Sequence, residues 1–305
     1  MFTRGLGLVF LEFNVVNFAW YFNVHFPSVN FLVIWALGIS MLFLSVIIYL
    51  PLPWIIALSL AIVFGHNLLD GVHVPGGGVP SFLWALLHEQ QFFTYAGRSI
   101  LVAYPIIPWI AVMALGYGLG KLYGKGYSAA KRKKFLWQTG VACILLFVVL
   151  RFTNVYGDPS KWSVQPSPAF TVLSFMNVSK YPPSLLYLLV TVGPALIFLS
   201  VSENVTSWFG SQLKMIGRVA MFYYLVHIFI IHLLAMAATY FCGFTWRDMV
   251  LSNWINFEPK LNGYGFNLGI VYLVWFAIIM ILYFLCRWYD RYKRSHTAYW
   301  WLSYV

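Results

Sequence analysis

The chain has 305 residues, of which 61% are hydrophobic, 20% aromatic and only 9% charged. A water-soluble domain cannot hide that much apolar surface, and the long apolar runs lack the polar–apolar alternation of barrel strands. The net charge of +11 at first suggests a nucleic-acid partner, but the cations flank apolar runs and mark membrane topology instead.

An apolar run of about 18 or more residues is long enough to cross a bilayer as a helix. Eight such runs are read, at 5–24, 29–50, 52–69, 99–123, 133–153, 182–203, 214–243 and 267–288. The expected fold is therefore all-α, a polytopic transmembrane helical bundle forming one integral membrane domain over 1–305. Its spans insert themselves, so no cleavable leader is required. Eight spans put both termini on one side, with 13 of the 19 Lys and Arg residues, against 6 on the other. The positive-inside rule then makes the termini cytoplasmic, with "KRKK" (131–134) as a topology anchor that can touch anionic lipid.

In chain order, Glu12, Asn14 and Asn17 make the first run unusually polar, so one of its faces must meet protein or water. "GHNLLDG" (65–71) places His66 and Asp70 one helical turn apart at the outward end of the third run. A carboxylate there would orient the imidazole as a general base. Equally, Asp70 only ends the helix and His66 bonds a nearby carbonyl. Residues 70–98 open on a Gly- and Pro-rich turn and hold an apolar stretch too short to span, suited to an interfacial or re-entrant helix. Gly116, Gly120 and Gly124 recur every fourth residue, a pattern that lets another helix approach closely.

"RFTNVYGDP" (151–159) offers Arg151, Asn154 and Asp158 to an outward loop. Arg151 is read as a clamp for a phosphate, carboxylate or sugar hydroxyl, and Gly157–Pro159 as a turn. "NVSKYPPS" (177–184) sets Asn177, Lys180 and Tyr181 before two prolines, which are expected to open the sixth helix. Three separate segments thus deliver polar groups to one leaflet, the arrangement of a shared substrate cavity. The seventh run holds His227 and His232, five residues apart and so about 140° apart on a helix, which prevents joint metal binding from one face. His227, nearer the middle, is the better catalytic candidate. Lys214 and Arg218, at the cytoplasmic start of that run, are ordinary topology anchors or a place for phosphate oxygens. Cys143, Cys242 and Cys286 have no metal or disulfide spacing and are read as packing residues.

Together "RGLGLVFLEFNVVNFAW", "HNLLDG", "PIIPWIAVMALGYGLG", "RFTNVYGDP", "LSFMNVSKYPPSLL" and "GRVAMFYYLVHIFIIHLLA" resemble the bacterial relatives of heparan-alpha-glucosaminide N-acetyltransferase, among the transmembrane acyltransferases. The resemblance implies a multi-helix enzyme of the bacterial inner membrane. It would take acetyl from cytoplasmic acetyl-CoA, whose phosphates could dock on Lys214 and Arg218, and pass it to an amino sugar or glycan on the far side through a histidine; residue spacing separately suggests no metal. Family members usually begin with further spans carrying an Asp–Arg–Gly motif, and this chain opens at "FTRGLG" as if short of them. A carrier that moves a polar or lipid-linked substrate without chemistry is the competing reading, and an inactive remnant is the third. Membrane lipid and the acceptor are the expected partners, nucleic acid is not one, and homo-oligomerisation is left open.

Overall fold

Proline and glycine punctuate the chain, and most of its helices start or stop beside them. The computed structural model describes residues 1–303. Helix α1 (Phe2–Leu11) passes through a π-turn at Glu12–Val16 into α2 (Asn17–Tyr21), which ends where Phe22 turns left-handed at φ 49°. Strand β1 (Ser28–Phe31) precedes α3 (Val33–Ile47), and Pro51 caps α4 (Leu52–Gly65), which tightens into a turn at His66–Leu69. Next come the short α5 (Val79–Leu87), β2 (Gln91–Tyr95), β3 (Arg98–Val102), α6 (Ile107–Gly120) and α7 (Ala129–Thr153). The chain continues through α8 (Pro168–Met176), α9 (Leu185–Ser202), α10 (Trp208–Arg218), α11 (Ala220–Ala238) and α12 (Leu268–Ser295).

This is a helical membrane protein. Five segments, Leu52–Leu69, Ala129–Thr153, Leu185–Ser202, Ala220–Phe241 and Leu268–Ser295, are long and apolar enough to cross a bilayer. Side chains such as Leu273, Trp275 and Phe276 on α12 stay exposed, which a hydrocarbon surrounding tolerates and water does not. A helix forms in each of the eight predicted runs, but not eight full spans. The run at 5–24 is broken by the π-turn, and those at 29–50 and 99–123 begin as strands. Pro105 and Pro108 bar α6 from extending backward, since proline lacks an N–H and restricts the residue before it. The preceding Ser99–Val102 pairs in a sheet of order β1-β3-β2, so the fold is not purely α. Ala96 and Gly97, both at positive φ, turn the β2–β3 hairpin. The short helix expected within 70–98 is α5.

The chain divides into two compact units. One comprises Met1–Leu6, Trp35–Phe92 and Val102–Val205; the other comprises Gly7–Ile34, Phe93–Leu101 and the chain from Thr206 on. In the first, α4 packs on α6 and α7 packs on α9 around Val63, Ala111, Phe147, Leu185 and Leu189. Helices α7 and α9 cross at Gly140 and Gly193, where a Cβ on Gly140 would lie 2.7 Å from the Gly193 carbonyl oxygen. Gly118 lets α6 approach Ile56 of α4, whereas Gly116 and Gly120 face open space and Gly124 meets only the Lys121 carbonyl. Close approach therefore occurs elsewhere than the four-residue glycine spacing suggested.

In the second unit Glu12 and Asn17 of the first run are buried against protein, whereas Asn14 is exposed and donates to the Phe10 carbonyl at 2.9 Å. Asn17 donates to the Glu12 and Asn30 carbonyls at 2.9 and 3.0 Å and accepts from the Asn30 N–H at 2.7 Å. Its amide thus stands in for a peptide group and ties the π-turn to β1.

Gly140→Leu should lower stability by about 1–3 kcal/mol, because the extra side chain forces α7 from α9. Gly116→Ala should be neutral or slightly stabilising. Thermal unfolding of the purified proteins in one detergent checks both.

Candidate active site

Within the first unit, three chain segments meet: the end of α4, the loop after α7, and the entry to α9. Asp158 organises the entry. Its Oδ1 accepts from the Ser160 N–H at 2.7 Å and the Ser179 hydroxyl at 2.9 Å. Its Oδ2 accepts from the Ser179 N–H at 2.7 Å and the Ser184 hydroxyl at 2.6 Å. Ser184 in turn caps α9 by accepting from the Tyr187 N–H at 3.0 Å. Helix α9 therefore starts at Leu185, after the prolines rather than on them. Pro182 follows a cis peptide bond, and Pro183 presents its carbonyl to His66.

His66 is buried and committed to main chain at both ring nitrogens. Nδ1 faces the Ile62 and Val63 carbonyls at 3.1 and 3.0 Å, and Nε2 faces the Pro183 carbonyl at 2.9 Å. It braces α4 against the entry to α9. The Tyr156 hydroxyl adds a second tie by donating to the Phe64 carbonyl. Burial, reinforced by the negative charge of Asp70, holds the Tyr156 phenol above its ordinary pKa.

Asp70 does not orient His66. Its Oδ2 accepts from the Asn67 amide at 2.8 Å, and its Oδ1 meets His88 Nε2 at 3.0 Å. The Asn67 side-chain oxygen accepts from the Leu185 N–H at 2.8 Å, which links the first turn of α9 to the carboxylate. A carboxylate only accepts, so Nε2 is the donor in this contact, and in the neutral ring Nδ1 is the acceptor nitrogen. His88 is 3% exposed, and Nδ1 has no hydrogen-bond partner among the described residues. Its ring lies between Trp84 and His66, with centroids 5.6 and 6.1 Å away. An imidazole fixed by a carboxylate, with the other nitrogen unused, has the arrangement of a general base. The sequence reading passed over His88. The available signal was a histidine and glutamate, "HEQ", ending an apolar stretch beside a carboxylate-bearing loop.

Arg151 is 1% exposed and is spent on structure. Its Nε donates to the Phe175 carbonyl at 2.9 Å, Nη1 to Ser160 at 2.6 Å, and Nη2 to Ser174 at 3.0 Å and Asn177 at 2.6 Å. These carbonyls include the C-terminal end of α8, where a cation also complements the helix dipole. The expected substrate clamp is thus a helix-end brace. Asn154 likewise closes its own loop on Trp162, donating at 2.9 Å and accepting at 3.2 Å.

Lys180 and Asn177 are exposed at the entry to α9. Lys180 Nζ lies 5.0 Å from the Tyr181 ring centroid and 6.0 Å from that of Tyr104. Two hydrogen bonds tie the segments that carry these rings to the segments that carry the buried pair. His66 holds Pro183, two residues from Tyr181. The Ile106 N–H donates to the Leu86 carbonyl at 2.9 Å, two residues from both Tyr104 and His88.

The remaining candidates belong to the second unit. His227 Nδ1 faces the Tyr224 carbonyl, and its ring stacks on Tyr223. With His232 it lines an apolar cavity of about 100 Å³ walled by Trp20, Tyr21 and Trp254. His232 Nε2 meets the Met249 carbonyl at 2.8 Å, and its ring stacks on Phe22 with centroids 4.2 Å apart. Lys214 is exposed, whereas the Arg218 fork is taken by Asp290, Nε to Oδ1 at 2.8 Å and Nη2 to Oδ2 at 2.9 Å. That contact raises the Arg218 pKa and leaves it a poor phosphate clamp. No group of three His, Cys, Asp or Glu side chains suited to a metal occurs among the described residues.

Residues 1–152 match the family model described as heparan-alpha-glucosaminide N-acetyltransferase, catalytic. The matched part contains His66, Asn67, Asp70 and His88. No curated protein and no solved structure gives a significant match.

Arg151→Met should cost about 3 kcal/mol or more of stability, because four carbonyls in the interior lose their donor. Arg151→Lys should not restore it, since one ammonium cannot span the four acceptors. A variant with wild-type thermal unfolding but a raised acceptor KM would instead place Arg151 in substrate binding.

Proposed function

Since the chain is a relative of the heparan-alpha-glucosaminide N-acetyltransferase catalytic family, we propose that it is a membrane-embedded acetyltransferase. The donor is acetyl-CoA, reaching the protein from the cytoplasm, and the acceptor is an amino sugar or glycan amine on the far side. The observation that carries this reading is the buried Asp70–His88 pair with its unused Nδ1, inside the family-matched part of the chain.

The chemistry follows from that geometry. The acceptor amine attacks the thioester carbonyl, and a C–N bond forms as the C–S bond breaks. The proton lost by the amine passes to His88 Nδ1, and CoA leaves as the thiolate. Asp70 stabilises the imidazolium that results, and Asn67 holds Asp70 in place through its own bond to α9. Lys180, Tyr181 and Tyr104 are positioned to receive the acceptor, aromatic faces and a cation being suited to a sugar ring and its polar substituents. The role first given to His66 passes to His88, and His66 serves as the brace between helices.

His88→Asn should lower kcat/KM about 10²–10⁴-fold while leaving thermal unfolding near wild type. Asp70→Asn should act in the same direction. Release of CoA thiol from acetyl-CoA in the presence of glucosamine is the assay. Unchanged turnover in His88→Asn removes the pair from the mechanism. Absence of acceptor-dependent thiol release in the wild-type protein removes the acetyltransferase reading itself. Lys180→Met should raise the acceptor KM and leave the acetyl-CoA KM unchanged.

The proposed topology has the bacterial inner membrane as host, a cytoplasmic 121–134 loop, cytoplasmic termini and outward 151–181. It rests on the distribution of Lys and Arg. In sealed cells, an impermeant thiol reagent should label Ser160→Cys and leave Ser128→Cys unmodified. The reverse pattern inverts the topology.

A further inference from the structure

Helix α10 is joined to α11 by Val219 alone, so its C-terminal end lies where a membrane-crossing segment begins. Its two sides differ. At about 100° per residue, Trp208, Phe209 and Leu213 fall on one arc and Lys214 and Arg218 on the opposite one. The apolar arc is open: Trp208 is 72% exposed, Phe209 63% and Leu213 46%. Met215 and Val219 turn inward instead and pack on Cys286 and Tyr289, which fixes α10 on the last turns of α12.

That end of α12 continues the same chemistry. Arg287, Trp288, Arg291 and Arg294 are exposed around it. Asp290 is the one acidic residue in 208–218 and 283–296, and it is buried between Arg218 and Arg294. Six cations thus stand against one carboxylate, with aromatic rings between them, beside the point where α11 begins to cross.

We propose that α10 and the last turns of α12 form a docking surface for the headgroups of anionic phospholipids. The exposed Trp208 and Phe209 enter the headgroup boundary, and Lys214, Arg287 and Arg291 meet the phosphates. A lipid leaflet fits better than a soluble phosphate ligand such as CoA. The cations are spread along the outsides of two helices, and the guanidinium most suited to a bidentate clamp, Arg218, already holds Asp290. A leaflet presents many phosphates over a surface and needs no concave site.

The test uses the full chain in nanodiscs of phosphatidylcholine, with or without phosphatidylglycerol. The anionic lipid should raise the unfolding temperature, and high salt should erase the rise. The Lys214→Gln, Arg287→Gln, Arg291→Gln triple variant should lose at least half of it. A photoreactive benzophenone residue at position 209 should cross-link to lipid. The proposal is overturned if the triple variant keeps the full rise, or if CoA reproduces it in phosphatidylcholine alone. Cross-linking at position 209 to protein without lipid overturns it as well. None of these readouts depends on catalytic turnover, so the acetyltransferase reading stands or falls separately.

Discussion

A hydrocarbon surrounding offers no hydrogen bonds, so a polar side chain set among apolar helices must find its partners within the protein. Three polar residues of the first unit meet that constraint in full. Arg151 satisfies four carbonyls, Asp158 gathers four donors, and both nitrogens of His66 face main chain. Each such group fixes a helix end that would otherwise leave backbone groups unpaired. The junction of α4, α7 and α9 is rigid for this reason, and that rigidity holds Asp70 and His88 in register. The Nδ1 of His88 is one of the few buried polar atoms of this unit without a hydrogen bond among the described residues, with Ser40 Oγ and the indole N–H groups of Trp109 and Trp162.

The same constraint separates positioning from chemistry. Asn67 reaches from the first turn of α9 to Asp70, and Asp70 reaches to His88, so a helix terminus governs the orientation of an imidazole two side chains away. The Gly140–Gly193 crossing sets how α9 lies on α7 and thereby where that terminus sits. The geometry of the Asp70–His88 pair thus depends on packing between helices that contribute neither residue.

Much of this was legible in the residues. The apolar runs, the short helix within 70–98, the burial of Glu12 and Asn17 and the meeting of the segments at 65–71, 151–159 and 177–184 all follow from composition and spacing. The strands at the start of two runs were not, because Val, Ile and Phe are as apolar in a strand as in a helix and periodicity cannot separate short cases. The glycine contacts were misplaced for a related reason. Spacing shows that one helix face is smooth, and only the partner helix shows where it is used.

Composition and spacing suffice to place the protein in a membrane, to show how its cations are distributed, and to mark the polar residues too costly to be there without a purpose. Those are properties of local composition and of hydrogen-bonding demand, which every residue carries with it. How the demand is met depends on the folded arrangement. Asp70 lies one helical turn from His66, yet its carboxylate turns to His88, 18 residues on, because both His66 nitrogens are already engaged by backbone carbonyls. Arg151 had the appearance of a ligand clamp until α8 placed its carbonyl end on the guanidinium. A side chain's chemistry is fixed by its type, but its role depends on which neighbour reaches it, and that is settled by packing.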